Sequence, residues 1–91
     1  MFDSVKNDLL RNARGVTFPM VIEAIAEKGI LLDFQHPNQA KYPSQRVFVV
    51  ELEGYAYCVP YLIVEDTWHL KTIYPSRKFK YLVEGGQRGQ V

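Results

Sequence analysis

The chain has 91 residues, 47% of them hydrophobic and 23% charged, and its 11 basic and 10 acidic side chains leave a net charge of +1. This excludes a disordered or fibrous chain and leaves room for one core, so a single domain over 1–91 is expected, burying about 60 to 65% of its unfolded surface. Near-neutrality also excludes a uniformly basic nucleic-acid binder, so an anion-binding surface has to come from how the charges are distributed.

In chain order, Asp3 or Ser4 caps a first helix over about residues 4–13, with Val5, Leu9, Leu10 and Ala13 on one side. Gly15 suits the left-handed end of that helix, and Thr17 with Pro19 signals a second start. Val21, Ile22, Ile25 and Ala26 form the apolar stripe of the second helix, which stops near Lys28 and Gly29. The continuous apolar run Ile30–Phe34 reads as a first strand, and the polar segment from Gln35 to Ser44 as a loop long enough to be functional or mobile.

Arg46–Glu53 reads as a second strand, turned by Glu53 and Gly54 into a third from Tyr55 to Val64. The acidic turn Glu65, Asp66, Thr67 leads into a fourth, Trp68–Tyr74. Pro60 cannot donate to a ladder, so a bulge or break in pairing is expected beside it. Ser76 then starts a short third helix to about Val83, and 84–91, with three glycines, reads as a flexible tail. The fold class is α+β: two N-terminal helices packed on an antiparallel four-stranded sheet, with a short C-terminal helix.

The lone Cys58 in an apolar run reads as a buried structural thiol of a reducing compartment. No stretch reaches the ~18 apolar residues of a membrane span and the N-terminus lacks a signal-peptide pattern, so a cytoplasmic location is expected. His36 and His69 are isolated and no ligand spacing or phosphate-binding glycine loop is present, so neither a metal nor a nucleotide cofactor is expected.

Chemistry concentrates after the last strand. Ser76, Arg77, Lys78 and Lys80 crowd together at its end, and their mutual repulsion calls for an anion. Metal-free RNA cleavage suits such a surface, because the substrate brings its own nucleophile, the 2′-hydroxyl. Arg77 and Arg46 are the natural phosphate clamps, since a guanidinium holds two phosphate oxygens. Lys71, Lys78 and Lys80 add positive potential, His69 and Ser76 extend the RNA-binding surface, and His36 and Tyr81 are candidates for proton transfer. Strand parity puts His69, Lys71 and Ile73 on an open face, and Trp68, Leu70, Thr72 and Tyr74 on the helix-covered one. Tyr55, Tyr57 and Tyr61 share a face of the third strand and suggest a platform for stacking bases. Plainer readings stand beside these: tyrosines edging a core, a turn histidine at His36, and a solvated face at His69 and Lys71.

The order of short motifs also resembles one family. Arg14, Gly15, Val16, Thr17 and Phe18 after a short helix, Arg46, Val47 and Phe48 opening a strand, and Ile73, Tyr74, Pro75, Ser76, Arg77 and Lys78 closing one are similar to the BrnT-type toxins of bacterial type II toxin-antitoxin systems. The likeness spans about residues 5–80. It implies a RelE-like fold, endoribonuclease activity with Arg46 and Arg77 in the active region, and a partner, a small DNA-binding antitoxin. Two other classes fit the same residues: a non-catalytic RNA- or protein-binding module, and a structural subunit pairing with another protein's helix.

Overall fold

A computed structural model describes residues 1–83; the expected tail at 84–91 lies outside the described residues. Helix α1 (Ser4–Arg14) starts where Asp3 accepts hydrogen bonds from the Val5 and Lys6 N–H groups, at 2.8 and 3.3 Å. It ends at Gly15, which takes φ 69° and donates its N–H to the Arg11 carbonyl. Helix α2 (Phe18–Lys28) starts at Thr17, whose Oγ1 accepts from the Met20 N–H at 3.3 Å. Between them, Asn7 Oδ1 accepts the Phe18 N–H at 2.7 Å, inside the core.

That buried bond decides which side of α1 turns inward. Asn7 and Leu10, three positions apart, are its buried residues. The expected stripe is therefore corrected: Val5 and Leu9 are 66% and 59% exposed. On α2 the buried residues are Phe18, Val21 and Ala24, and the expected Ile22 faces outward.

Strands β1 (Leu32–Gln35), β2 (Arg46–Leu52), β3 (Tyr55–Val64) and β4 (Thr67–Leu70) form an antiparallel sheet in that order, and β5 (Tyr74–Pro75) pairs with β3 beyond β4. Both faces are covered. Phe48, Val50, Val59, Tyr61 and Leu70 meet the helices, while Val47, Val49, Ala56 and Cys58 meet Phe79, Leu82 and Val83. Buried on both sides, Val47 to Val50 are all 0% exposed, which is why β2 reads as an unbroken apolar run.

Each long hairpin turns on two residues with positive φ, Glu53 and Gly54 before β3, Glu65 and Asp66 before β4. Such turns follow the strand twist but strain a residue that carries a Cβ. Asp66 sits at φ 66°, so Asp66→Gly is expected to raise the unfolding free energy by about 0.5 to 1 kcal/mol, read from the urea midpoint at unchanged slope.

The break expected at Pro60 is present, and it takes the form of a bulge. Tyr61 pairs with Leu70 and Cys58 with Tyr74, so five residues (70 to 74) oppose four (61 to 58). Pro60 accepts the Lys71 N–H at 2.8 Å and has no N–H to return, so the edge loosens over 71–73. The extra residue reverses strand parity. Leu70 and Ile73 both enter the helix-side core, whereas Tyr74 joins the other cluster, which corrects the face assignment beyond Leu70.

The C-terminal helix begins later than its sequence suggests. Ser76 donates its N–H to the Ala56 carbonyl at 3.0 Å, a tight turn from Arg77 follows, and helical backbone starts at Lys80. Ser76 therefore does not start that helix. No helix among the described residues is long and apolar enough to cross a membrane.

Candidate functional site

The bulge opens a groove at the sheet edge, where α1 passes beside it. One cavity of about 400 Å³ is lined by Lys71, Thr72 and Tyr74 of the bulged edge, Pro60 of β3, Lys6 of α1, and His36, Tyr42 and Gln45 from the segment between β1 and β2. A second, of about 440 Å³, is lined by Met1, Phe2, Asp3, His69 and Leu70, and again by Lys6 and Lys71. Both fall within the ~300–1,000 Å³ of small-ligand pockets. Neither Lys6 nor Lys71 makes an ion pair among the described residues, whereas Arg11, Lys28 and Arg46 are paired with Asp8, Glu51 and Asp33. The shared wall of the two cavities thus carries two cations without an ion pair, with Asp3 lining the second cavity beside them.

The loop between β1 and β2 is ordered by its own hydrogen bonds. The His36 N–H donates to the Gln45 carbonyl at 3.0 Å, closing the loop at its base. Tyr42 donates its N–H to Asn38 at 2.9 Å, and Gln39 Nε2 donates to the His36 carbonyl at 2.6 Å. These bonds bring the His36 and Tyr42 rings to 4.5 Å between centroids, with Lys41 Nζ 5.4 Å from the centre of the Tyr42 ring. His36 Nδ1 accepts the Asn38 N–H at 3.0 Å. With that lone pair in use, the neutral ring carries its proton on Nε2 and presents a donor, which suits a phosphate oxygen better than a proton-abstracting role.

Of the residues singled out in the sequence, the groove gathers His36, His69 and Lys71. Lys6, Tyr42 and Tyr74 are additions. Tyr42 lies in the loop whose length already marks it, whereas nothing in the sequence distinguishes Lys6 from any other helical lysine.

Arg46 and Arg77 do not converge. Arg46 shares the helix-side face with Tyr61, its cross-strand partner, and its Nε donates to Asp33 Oδ1 at 3.2 Å. The Tyr61 hydroxyl lies 2.8 and 2.7 Å from the two oxygens of the same carboxylate, and its ring stacks on Trp68 at 4.4 Å. Arg77 follows Ser76, which is bonded at Ala56, five positions along β3 from Tyr61 (61 less 56). At ~3.3 Å per residue that is about 17 Å, and Phe79 beyond it packs on the opposite face. A phosphate clamp formed by this pair is therefore corrected.

The other basic candidates stay outside the groove as well. Ser76 is held by its N–H bond to the Ala56 carbonyl, and Lys78 Nζ lies 5.5 Å from the centre of the Phe79 ring. Lys80 and Tyr81 are exposed on the C-terminal helix, and neither lines the groove. The tyrosine platform is corrected too: Tyr61 is 1% exposed and Tyr57 packs against the helix-side core.

Below Tyr74 the Cys58 thiol is fully buried. Burial pushes its pKa up, against smaller opposing effects of Ser76, Tyr74 and the Lys78 charge. Burial also raises Tyr61, reinforced by its bond to Asp33, and raises Tyr74, reinforced by Cys58. All three folded-state values lie above the unfolded ones, so their stabilisation is present below the ordinary pKa and is lost as pH rises. Unfolding stability is expected to fall from about pH 8.5, where the unfolded thiol ionises, and faster from about pH 10, where the phenols follow. Urea midpoints for Cys58→Ala should lack the first of these two declines.

Fold and groove together define an α+β domain with a basic, aromatic-walled channel along one sheet edge. Among known protein families, curated proteins and solved structures, none matches the chain.

Proposed function

We propose that the protein is a metal-free endoribonuclease that holds RNA in the groove between Lys6 and Lys71 and cleaves it by attack of the 2′-hydroxyl on the adjacent phosphodiester: the 2′-oxygen–phosphorus bond forms as the phosphorus–5′-oxygen bond breaks, solvent water takes the 2′-hydroxyl proton, and the leaving 5′-oxygen is protonated from solvent. The observation carrying this reading is the meeting of Lys6, Lys71, His36 and Tyr42, from α1, the edge bulge and the long loop, around one cavity. The two ammonium groups neutralise the charge that grows on the phosphate, and His36 Nε2–H donates to one of its oxygens. Tyr42 and Tyr74 supply aromatic surface for a base and hydroxyls for hydrogen bonding. Arg46 has no part in this arrangement, because Asp33 and Tyr61 engage it. The resemblance to BrnT-type toxins, whose implied active-region residues Arg46 and Arg77 do not line this groove, bears on the setting rather than the site: the cytoplasm of a bacterium and a small DNA-binding antitoxin as partner.

A binding module without chemistry is the second reading, favoured by the occupied Nδ1 of His36, which leaves the ring without a free base. Product analysis separates the two. Purified protein incubated with single-stranded RNA and a chelator is expected to yield fragments ending in 2′,3′-cyclic phosphate, and Lys6→Ala/Lys71→Ala to abolish them. Salt-sensitive binding with intact RNA would establish the module, and absence of both binding and cleavage would remove RNA from consideration.

A further inference from the structure

Lys6 and Lys71 are the residues common to both cavities, so the positive charge lies at their junction. A ligand matched to this layout carries its anion in the middle and an uncharged group at each end. We infer that the groove is built for a dinucleotide step of single-stranded RNA, with the bridging phosphodiester at Lys6 and Lys71, one base against the His36 and Tyr42 rings, and the neighbouring nucleotide beside Phe2 and His69. The inference rests on the RNA reading above and adds how many nucleotides the site takes and where each lies.

The walls differ in a way that supports two distinct ends. The first cavity offers two rings tilted at 40° with centroids 4.5 Å apart, and Gln45 beside them, a combination that meets both the face and the edge of a base. The second offers Phe2, whose ring already stacks on Phe18 at 4.9 Å, together with Leu70 and His69. Asp3 also lines that second cavity, with Oδ1 accepting N–H groups at the start of α1. Its carboxylate repels a further phosphate there and leaves a base or ribose undisturbed. A mononucleotide, with its charge at one end, fills one cavity and leaves the other empty.

The test compares three probes by calorimetry: a dinucleoside monophosphate with a 2′-deoxy upstream ribose, which cannot be cleaved, the corresponding mononucleotide, and the same dinucleotide with an uncharged methylphosphonate link. Charge alone favours the mononucleotide, which carries more of it. The expected result is the reverse, with the dinucleoside monophosphate bound at least tenfold more tightly than the mononucleotide. The methylphosphonate should lose at least tenfold with the wild-type chain and little with Lys6→Ala/Lys71→Ala, while Arg11→Ala, which removes a cation that lines neither cavity, behaves as wild type. Equal or tighter binding of the mononucleotide, or indifference to the methylphosphonate, overturns the dinucleotide site. A longer non-cleavable strand distinguishes the two levels: if it shields Lys6 and Lys71 from acetylation while the dinucleotide gains nothing, this inference fails and the RNA reading survives. If no strand shields them, both fall.

Discussion

Replacing both groove lysines, Lys6→Ala/Lys71→Ala, is expected to weaken binding of single-stranded RNA about 100-fold at low salt, a tenfold loss for each charge-assisted contact. The mechanism fixes a second readout. Each phosphate contact on a single strand contributes about 0.7 to the slope of log affinity against log salt, so removing two should flatten that slope by about 1.4. A loss of fold would lower affinity without this graded change, and each single variant should show half of it. Arg46→Ala and Arg77→Ala should leave the slope nearly unchanged, because the first is paired with Asp33 and neither lines the groove. A double variant with wild-type affinity and slope would dismiss the groove as the binding surface.

The largest expected effect on stability belongs to Phe48→Ala. Phe48 is 0% exposed in the centre of β2, with ring centroids 5.3 Å from Tyr61 and 6.2 Å from Trp68. Truncating such a ring removes its transfer free energy and leaves a cavity that a central strand cannot close, at a cost of about 3 to 5 kcal/mol. A domain of this size has a total stability of about 5 kcal/mol, so the variant should keep at most about 2 kcal/mol and lose more than half of its urea midpoint. Chemical denaturation followed by far-UV circular dichroism measures this directly. Val5→Ala and Leu9→Ala, on the outer side of α1, should each cost less than about 0.5 kcal/mol. The opposite ranking would mean that α1 packs through Val5 and Leu9 and that the Asn7 to Phe18 bond does not orient it.

Much of the fold is local and therefore legible. The Asp3 and Thr17 caps, the Gly15 stop, the Glu53–Gly54 turn and the extent of β3 follow from nearest-neighbour sterics and hydrogen bonding. Pro60 even announces a fault in the sheet, since a missing N–H is a property of the residue itself. The candidate site was legible only in part. His36, His69 and Lys71 are visible as chemistry in the sequence, but neither of the cations that draw attention, Arg46 and Arg77, lines the groove.

What the amino-acid order determined by itself was the two N-terminal helices with their caps, the strands up to β3 with the hairpin turns on either side of it, and the place where the edge strand would break. What only the tertiary structure decided was direction: the buried side of α1, set by Asn7 bonding to Phe18, and the face each residue takes after Leu70, set by one extra residue opposite Pro60. The physical reason is that side-chain parity in a strand depends on a register counted against its neighbour. A single unpaired residue in that count carries Ile73 inward, turns Tyr74 to the other face and leaves Lys71 at the groove.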